Sequence, residues 1–168
     1  RRHTRYGTVT GVQTCALPIS SGILFRQERR PEFDRLMAVT DLVMLDIKHI
    51  DDAEHQKLTK QSNRHILEFA EYLKEKGVPV WIRHVVVPGI TLNDDYLRQL
   101  GHFIGGLDNL KALDVLPYHT MGEVKYENLG IDYPLKGVPA ATKEQAIHAK
   151  QVIFEGIKER IREDIQKH

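Results

Sequence analysis

Two opposite charges stand two residues apart at the end of an apolar run, Leu42-Val-Met-Leu-Asp-Ile-Lys48. Side chains of a strand alternate, so Met44, Asp46 and Lys48 would share one face and Leu45 and Ile47 the other. A carboxylate beside an ammonium can hold a zwitterionic ligand, Lys48 meeting its carboxylate and Asp46 an amine, a hydroxyl or a cation. The plain alternative is a salt bridge closing the strand, which this spacing alone favours. Arg83 is the second candidate, set inside the apolar run Trp81-Ile-Arg-His-Val-Val-Val87. A charge there needs a partner: either an internal carboxylate such as Asp46, or carbonyl and carboxylate groups of a ligand met by its planar fork of donors. His119, after Leu116-Pro-Tyr118, is the third, and a lone histidine in that place is as often structural as functional.

These residues need a scaffold that brings strand ends together, and the chain alternates in the required way. Pro31–Val39 is expected to be a short helix with proline at its start. Leu42–Ile47 reads as a parallel strand covered on both faces. Ser62–Lys76 reads as a helix with Ile66, Ala70 and Leu73 on one stripe and Gly77 as its stop. Val78–Val87 is a second strand, ended by Pro88-Gly89. Thr91–Ile104 is a second long helix capped by Thr91 or Asn93, and Leu110–Tyr118 a third strand. An irregular stretch follows. The last helix opens on Thr142-Lys-Glu-Gln145, a capping box, and carries Ala146, Ala149, Ile153, Ile157, Ile161 and Ile165 at helical spacing. The fold class is therefore α/β, with parallel strands and flanking helices. Three strands make a thin sheet, and one as apolar as Leu42–Ile47 expects a neighbour on each side. The pattern is that of the C-terminal part of a larger barrel, whose strand ends would form the ligand face.

Composition narrows the chemistry. The 168 residues are 41% hydrophobic and 28% charged, enough for one domain with a core. A net charge of +1 offers no concentrated basic face for nucleic acid. No apolar run is long enough to span a membrane, and no export signal is evident. Cys15 is the one cysteine, so a cysteine-ligated cluster within this chain is excluded. Neither a phosphate-cradling glycine loop nor a nucleophile elbow is present. Glu54-His55 and the Glu144–Lys150 charges are expected on solvated faces.

Residues 1–20 stand apart. They hold Arg1, Arg2 and Arg5, no acid and no period of either kind. Val9-Thr-Gly-Val-Gln-Thr-Cys-Ala-Leu-Pro-Ile19 resembles the conceptual translation of a short-read sequencing adapter joined in frame to a gene. Residues 1–20 are thus expected to be a non-native, disordered segment, and 21–168 the domain itself.

Three motifs taken together resemble one family. Asp41-Leu-Val-Met-Leu-Asp-Ile-Lys48, Val80-Trp-Ile-Arg-His-Val-Val-Val-Pro-Gly89 and Leu116-Pro-Tyr-His119 stand in the order and spacing of the pyruvate formate-lyase activating enzymes, from about Ser21 to the C-terminus. These are radical S-adenosylmethionine (SAM) enzymes on a partial barrel. A reduced 4Fe-4S cluster cleaves SAM, and the resulting 5′-deoxyadenosyl radical takes a hydrogen atom from a glycine of pyruvate formate-lyase. The resemblance implies SAM contacts by Asp46, Ile47, Lys48 and His119, a monovalent cation held by Met44 and Asp46, and a substrate-peptide contact by Arg83. It also implies a reduced donor such as flavodoxin and a cytoplasmic setting.

The chain departs from the family pattern upstream. The CxxxCxxC cluster motif and the glycine-rich SAM-amine motif are not present, and Ile19-Ser20 stands where the family has Asp-Thr. The expectation is an inactive fragment of an active parent, with no cluster ligand of its own. Two other readings stay open: an activase of another glycyl radical enzyme, and a non-catalytic α/β binding module.

Overall fold

Parallel strands lie side by side in the order in which the chain makes them. The computed structural model describes residues 19–20 and 22–167. Its sheet runs β1 (Ile19–Ser20), β2 (Val43–Asp46), β3 (Val80–Val86), β4 (Leu110–Pro117), each strand parallel to the next. Between them come α1 (Arg30–Met37), α2 (Asp52–Thr59), α3 (Arg64–Glu75) and α4 (Asp94–Gly105), and after β4 come α5 (Glu123–Asn128) and α6 (Lys143–Gln166). The α/β arrangement is the one the sequence predicts. The adapter-like residues up to 18, Cys15 among them, lie outside the described residues. Ile19 and Ser20, placed by their sequence in that segment, pair with Met44 and Leu45. They supply the second neighbour that β2 requires, so its edge is not bare along those two residues.

The expectation that β2 is covered on both faces is corrected. Val43, Leu45 and Ile47 are fully buried, whereas Met44 and Asp46 are half-buried. β3 alternates in the same way, with Val80, Ile82, His84 and Val86 buried and Trp81, Arg83 and Val85 less so. The buried face meets Ile66, Phe69 and Leu73 of α3, Leu97, Leu100 and Ile104 of α4, and Ile153 of α6 in one core. Among the described residues the helices dress one side of the sheet and leave open the side that carries the charges.

Local chemistry sets the helix ends. Asp51 caps α2 by accepting from the Glu54 N–H, and Asn93 caps α4 by accepting from Asp95 and Tyr96. Thr91, the other candidate cap for α4, instead ties the loop after β3. Its hydroxyl accepts from the Val87 N–H and donates to the Val85 carbonyl. The capping box of α6 forms as expected, with Thr142 and Gln145 bonded reciprocally. α6 crosses α4 where Gly101 and Gly105 face Ile153, Gly156 and Ile157, and a side chain at Gly101 or Gly156 would collide with backbone of the other helix.

Three further features differ from what the sequence pattern suggests. α2 is only weakly amphipathic, so no apolar stripe announces it, and the Asp51 cap marks its start. His55 does not sit on a solvated face: it is buried, its Nδ1 bonded to the Gln61 carbonyl oxygen. In α6 burial ends near Gly156, and Ile161 and Ile165 are exposed although they continue the apolar stripe.

Candidate functional site

Parallel register places Asp46 opposite Arg83, and Arg83 opposite Asp114, in one row across three strands. Arg83 donates to Asp46 through two nitrogens, Nε to Oδ1 at 2.6 Å and Nη2 to Oδ2 at 3.1 Å. Its Nη1 lies 3.8 Å from the Met44 sulfur. Lys48 Nζ adds a contact to Asp46 Oδ2 at 3.2 Å. Side-chain exposure falls from 41% at Lys48 to 15% at Asp46, so the carboxylate is the enclosed centre and the ammonium the accessible rim.

The electrostatics follow from this enclosure. Burial on its own pushes the Asp46 carboxyl up, but the Arg83 hydrogen bonds and the Lys48 charge outweigh it and hold the group below the usual carboxylate range. Arg83 is raised above its ordinary value by the hydrogen bond to Asp46, against the opposing effect of burial, with help from the charges of Asp46 and Asp114. Asp46 is thus a committed anion.

The chain leaving β2 is held from behind. The Ile47 N–H donates to the Arg83 carbonyl at 3.0 Å, and the Ile47 carbonyl lies 2.8 Å from His84 Nδ1. Asn63 donates through Nδ2 to the carbonyls of His49 and Ile50, at 3.1 and 2.6 Å. The Asp51 N–H donates to His49 Nδ1 at 3.1 Å. His49, Asn63 and His84 are all buried. Lys48 therefore projects from a loop whose carbonyls are fixed on the far side.

Met44, Asp46, Lys48 and Arg83 are brought together as the strand pattern predicts. Ile47 takes part through its backbone, since its side chain is buried among the helices. His119 follows closely on β4. It is exposed, it precedes a 3-10 turn over Thr120–Gly122, and among the described residues no hydrogen bond or ion pair joins it to Asp46, Lys48 or Arg83. Residues missed from the sequence are Asp114, visible only through register, and the buried trio His49, Asn63 and His84. Trp81 also lies on the open face beside Met44, its indole N–H buried without a hydrogen-bond partner among the described residues. A separate groove lies around Arg30, Arg64, Glu68 and Glu75, where Arg30 pairs with Glu75 and Arg64 with Glu68.

The donor set fits one of the two implied groups. A half-exposed ammonium beside a committed carboxylate suits the amino-acid end of SAM. An iron–sulfur cluster is not served. Cys15 is the chain's one thiol, and among the described residues no three His, Cys, Asp or Glu side chains converge to hold a metal ion.

Comparison with known proteins finds related chains. The chain is 44% identical over 159 residues to a pyruvate formate-lyase-activating enzyme of Streptococcus mutans, covering 92% of this chain and 59% of that protein. It is 49% identical over 129 residues to one from Listeria monocytogenes, covering 74% and 52%. The chain thus spans little more than half the length of these curated relatives. A solved domain of a pyruvate-formate lyase-activating enzyme from Bacteroides vulgatus superposes with a TM-score of 0.66, at 19% identity, over 84% of this chain and 76% of that one, which shows the shared fold. Residues 16–100 match the Radical SAM superfamily. With half its length in that match, and the Asp46–Arg83 pair and Lys48 on the open face of its parallel sheet, the chain belongs to the Radical SAM superfamily.

Proposed function

We propose that this chain carries the SAM-facing and substrate-facing part of a pyruvate formate-lyase activating enzyme. The observation that carries the reading is the row Asp46–Arg83–Asp114 with Lys48 at its rim, in a chain 44–49% identical to proteins of that name. Lys48, with one carboxylate partner and an exposed head, binds the methionyl carboxylate. Asp46 and the Met44 sulfur face the same place and hold a monovalent cation beside it. Arg83 presents its remaining donor capacity to the backbone of the incoming peptide, and His119 closes on the ligand from the end of β4. SAM, when bound, would supply the radical chemistry that acts on a glycine of the partner. The residues of this chain do the orienting, so that one C–H bond lies within reach.

The cluster and the electron have to come from outside the residues present, the electron from a reduced donor of the flavodoxin class. Such chemistry belongs in a reducing, oxygen-poor compartment, which places the protein in the cytoplasm. The described residues include no helix long and apolar enough to cross a membrane. On its own the chain is inactive.

The experiment is anaerobic assay of the complete gene product, with SAM and a reductant, by the glycyl radical resonance formed on pyruvate formate-lyase. The unaltered protein should form the radical, and the Lys48→Ala form should need a much higher SAM concentration. Radical formation indifferent to Lys48, or none with the complete protein, overturns the reading.

A further inference from the structure

His84 and Arg83 are neighbours in sequence but face opposite sides of the sheet. Arg83 reaches the charged row, while His84 is 3% exposed beneath it. Its Nδ1 lies 2.8 Å from the Ile47 carbonyl oxygen, which can only accept, so Nδ1 carries the proton. The other ring nitrogen, Nε2, is buried without a hydrogen-bond partner among the described residues. The ring borders a small space lined also by His49, Thr91, Tyr96 and Leu100 that is too tight for a water molecule. An unpaired buried nitrogen costs stability. A side chain there only to fill volume would be better served by leucine, so the hydrogen bond is what the histidine contributes.

That bond falls between the two charges of the site. The Ile47 N–H is held by Arg83 on one side of the residue, and its carbonyl by His84 on the other. Fixing both groups fixes the turn from Asp46 to Lys48, and so the 3.2 Å approach of their side chains. We propose that His84 is a positioning residue whose Nδ1–H, held on the Ile47 carbonyl, sets Asp46 and Lys48 side by side for the ligand they share. The geometry is independent of what that ligand is. The consequence for SAM rests on the function proposed above.

The test uses this chain, labelled with nitrogen-15, in three forms: unaltered, His84→Leu and His84→Asn, the last able to return an N–H near the Nδ1 position. In the unaltered chain the His84 nitrogen shifts should show a neutral ring protonated on Nδ1. His84→Leu should cut amide-exchange protection at Ile47 by about tenfold or more relative to Leu45 and Ile82, and His84→Asn should restore most of it. A ring protonated on Nε2, or Ile47 protection that stays in step with Leu45 and Ile82 in His84→Leu, overturns the proposal. Should the leucine form fail to fold, the ring tautomer and the asparagine form still decide. A separate titration of the complete gene product with SAM reads the Lys48 resonances. Their failure to move counts against the SAM reading and leaves the exchange result standing.

Discussion

Arg83 meets Asp46 with two nitrogens of its guanidinium, an alignment that follows from the two residues being paired opposite each other in β3 and β2. The fork geometry is specific to arginine, because an ammonium reaches both oxygens less well. Arg83→Lys should therefore destabilise the chain by about 1–2 kcal/mol, and Asp46→Asn by about 1–3 kcal/mol because it leaves the guanidinium half-paired. Urea unfolding of both single variants and the double variant measures this. Additive effects would show that the pair is not coupled.

Acid should weaken the fold in a defined window. Burial pushes His84 down from its ordinary 6.5 to about 4, and burial lowers His49 as well. Below pH 6.5 the unfolded chain takes up a proton that the folded chain refuses until about pH 4. Stability therefore falls as pH drops through that window, by roughly 3 kcal/mol from His84. The carboxylates held low by their partners, Asp46 among them, are lost only further down. Unfolding free energies at pH 7, 6 and 5 should show the slope, and His84→Asn should flatten it.

The crossing of α4 and α6 leaves no space for a methyl group. Gly101→Ala drives Cβ into the Ile153 carbonyl, and Gly156→Ala drives it into that of Arg98. Each should cost about 2–3 kcal/mol, since backbone on both sides must move. Gly77→Ala is the control: nothing lies within reach of a Cβ there, and the loss comes from its positive φ alone. Thermal unfolding of the three variants should rank Gly77→Ala as mildest.

Trp81 is the chain's one tryptophan and lies on the open face, two residues before Arg83. A ligand settling on Lys48 and Asp46 should change its emission. Titration of the complete gene product with SAM should give a saturable change that Lys48→Ala weakens at least severalfold through loss of a charge-assisted contact. A signal identical in Lys48→Ala would place the ligand elsewhere.

The legible parts of this chain are those carried by periodicity. Alternation along Leu42–Lys48 placed Met44, Asp46 and Lys48 on one face, and the capping box marked where α6 begins. α2 is only weakly amphipathic, so no apolar stripe announces it. Asp114 joined the row only through the pairing of β3 with β4, which no local pattern encodes. The roles of Asn63 and His84 depend on hydrogen bonds to carbonyls 13 to 37 residues away, invisible until the chain folds. His119 follows β4 where its motif places it, and among the described residues it makes no hydrogen bond to Asp46, Lys48 or Arg83.

The one-sided dressing of the sheet has a price in evolvability. Because each residue of β3 belongs to the opposite side from its neighbour, and pairing with β4 runs unbroken from Trp81 onward, past a register shift between Val80 and Trp81, inserting or deleting a single residue between Trp81 and Arg83 would exchange the two sides. The guanidinium would be driven among leucines and isoleucines while Ile82 turned to water. Changes of length in this protein are thus confined to its loops, and the strand can diverge only by substitution, one position at a time.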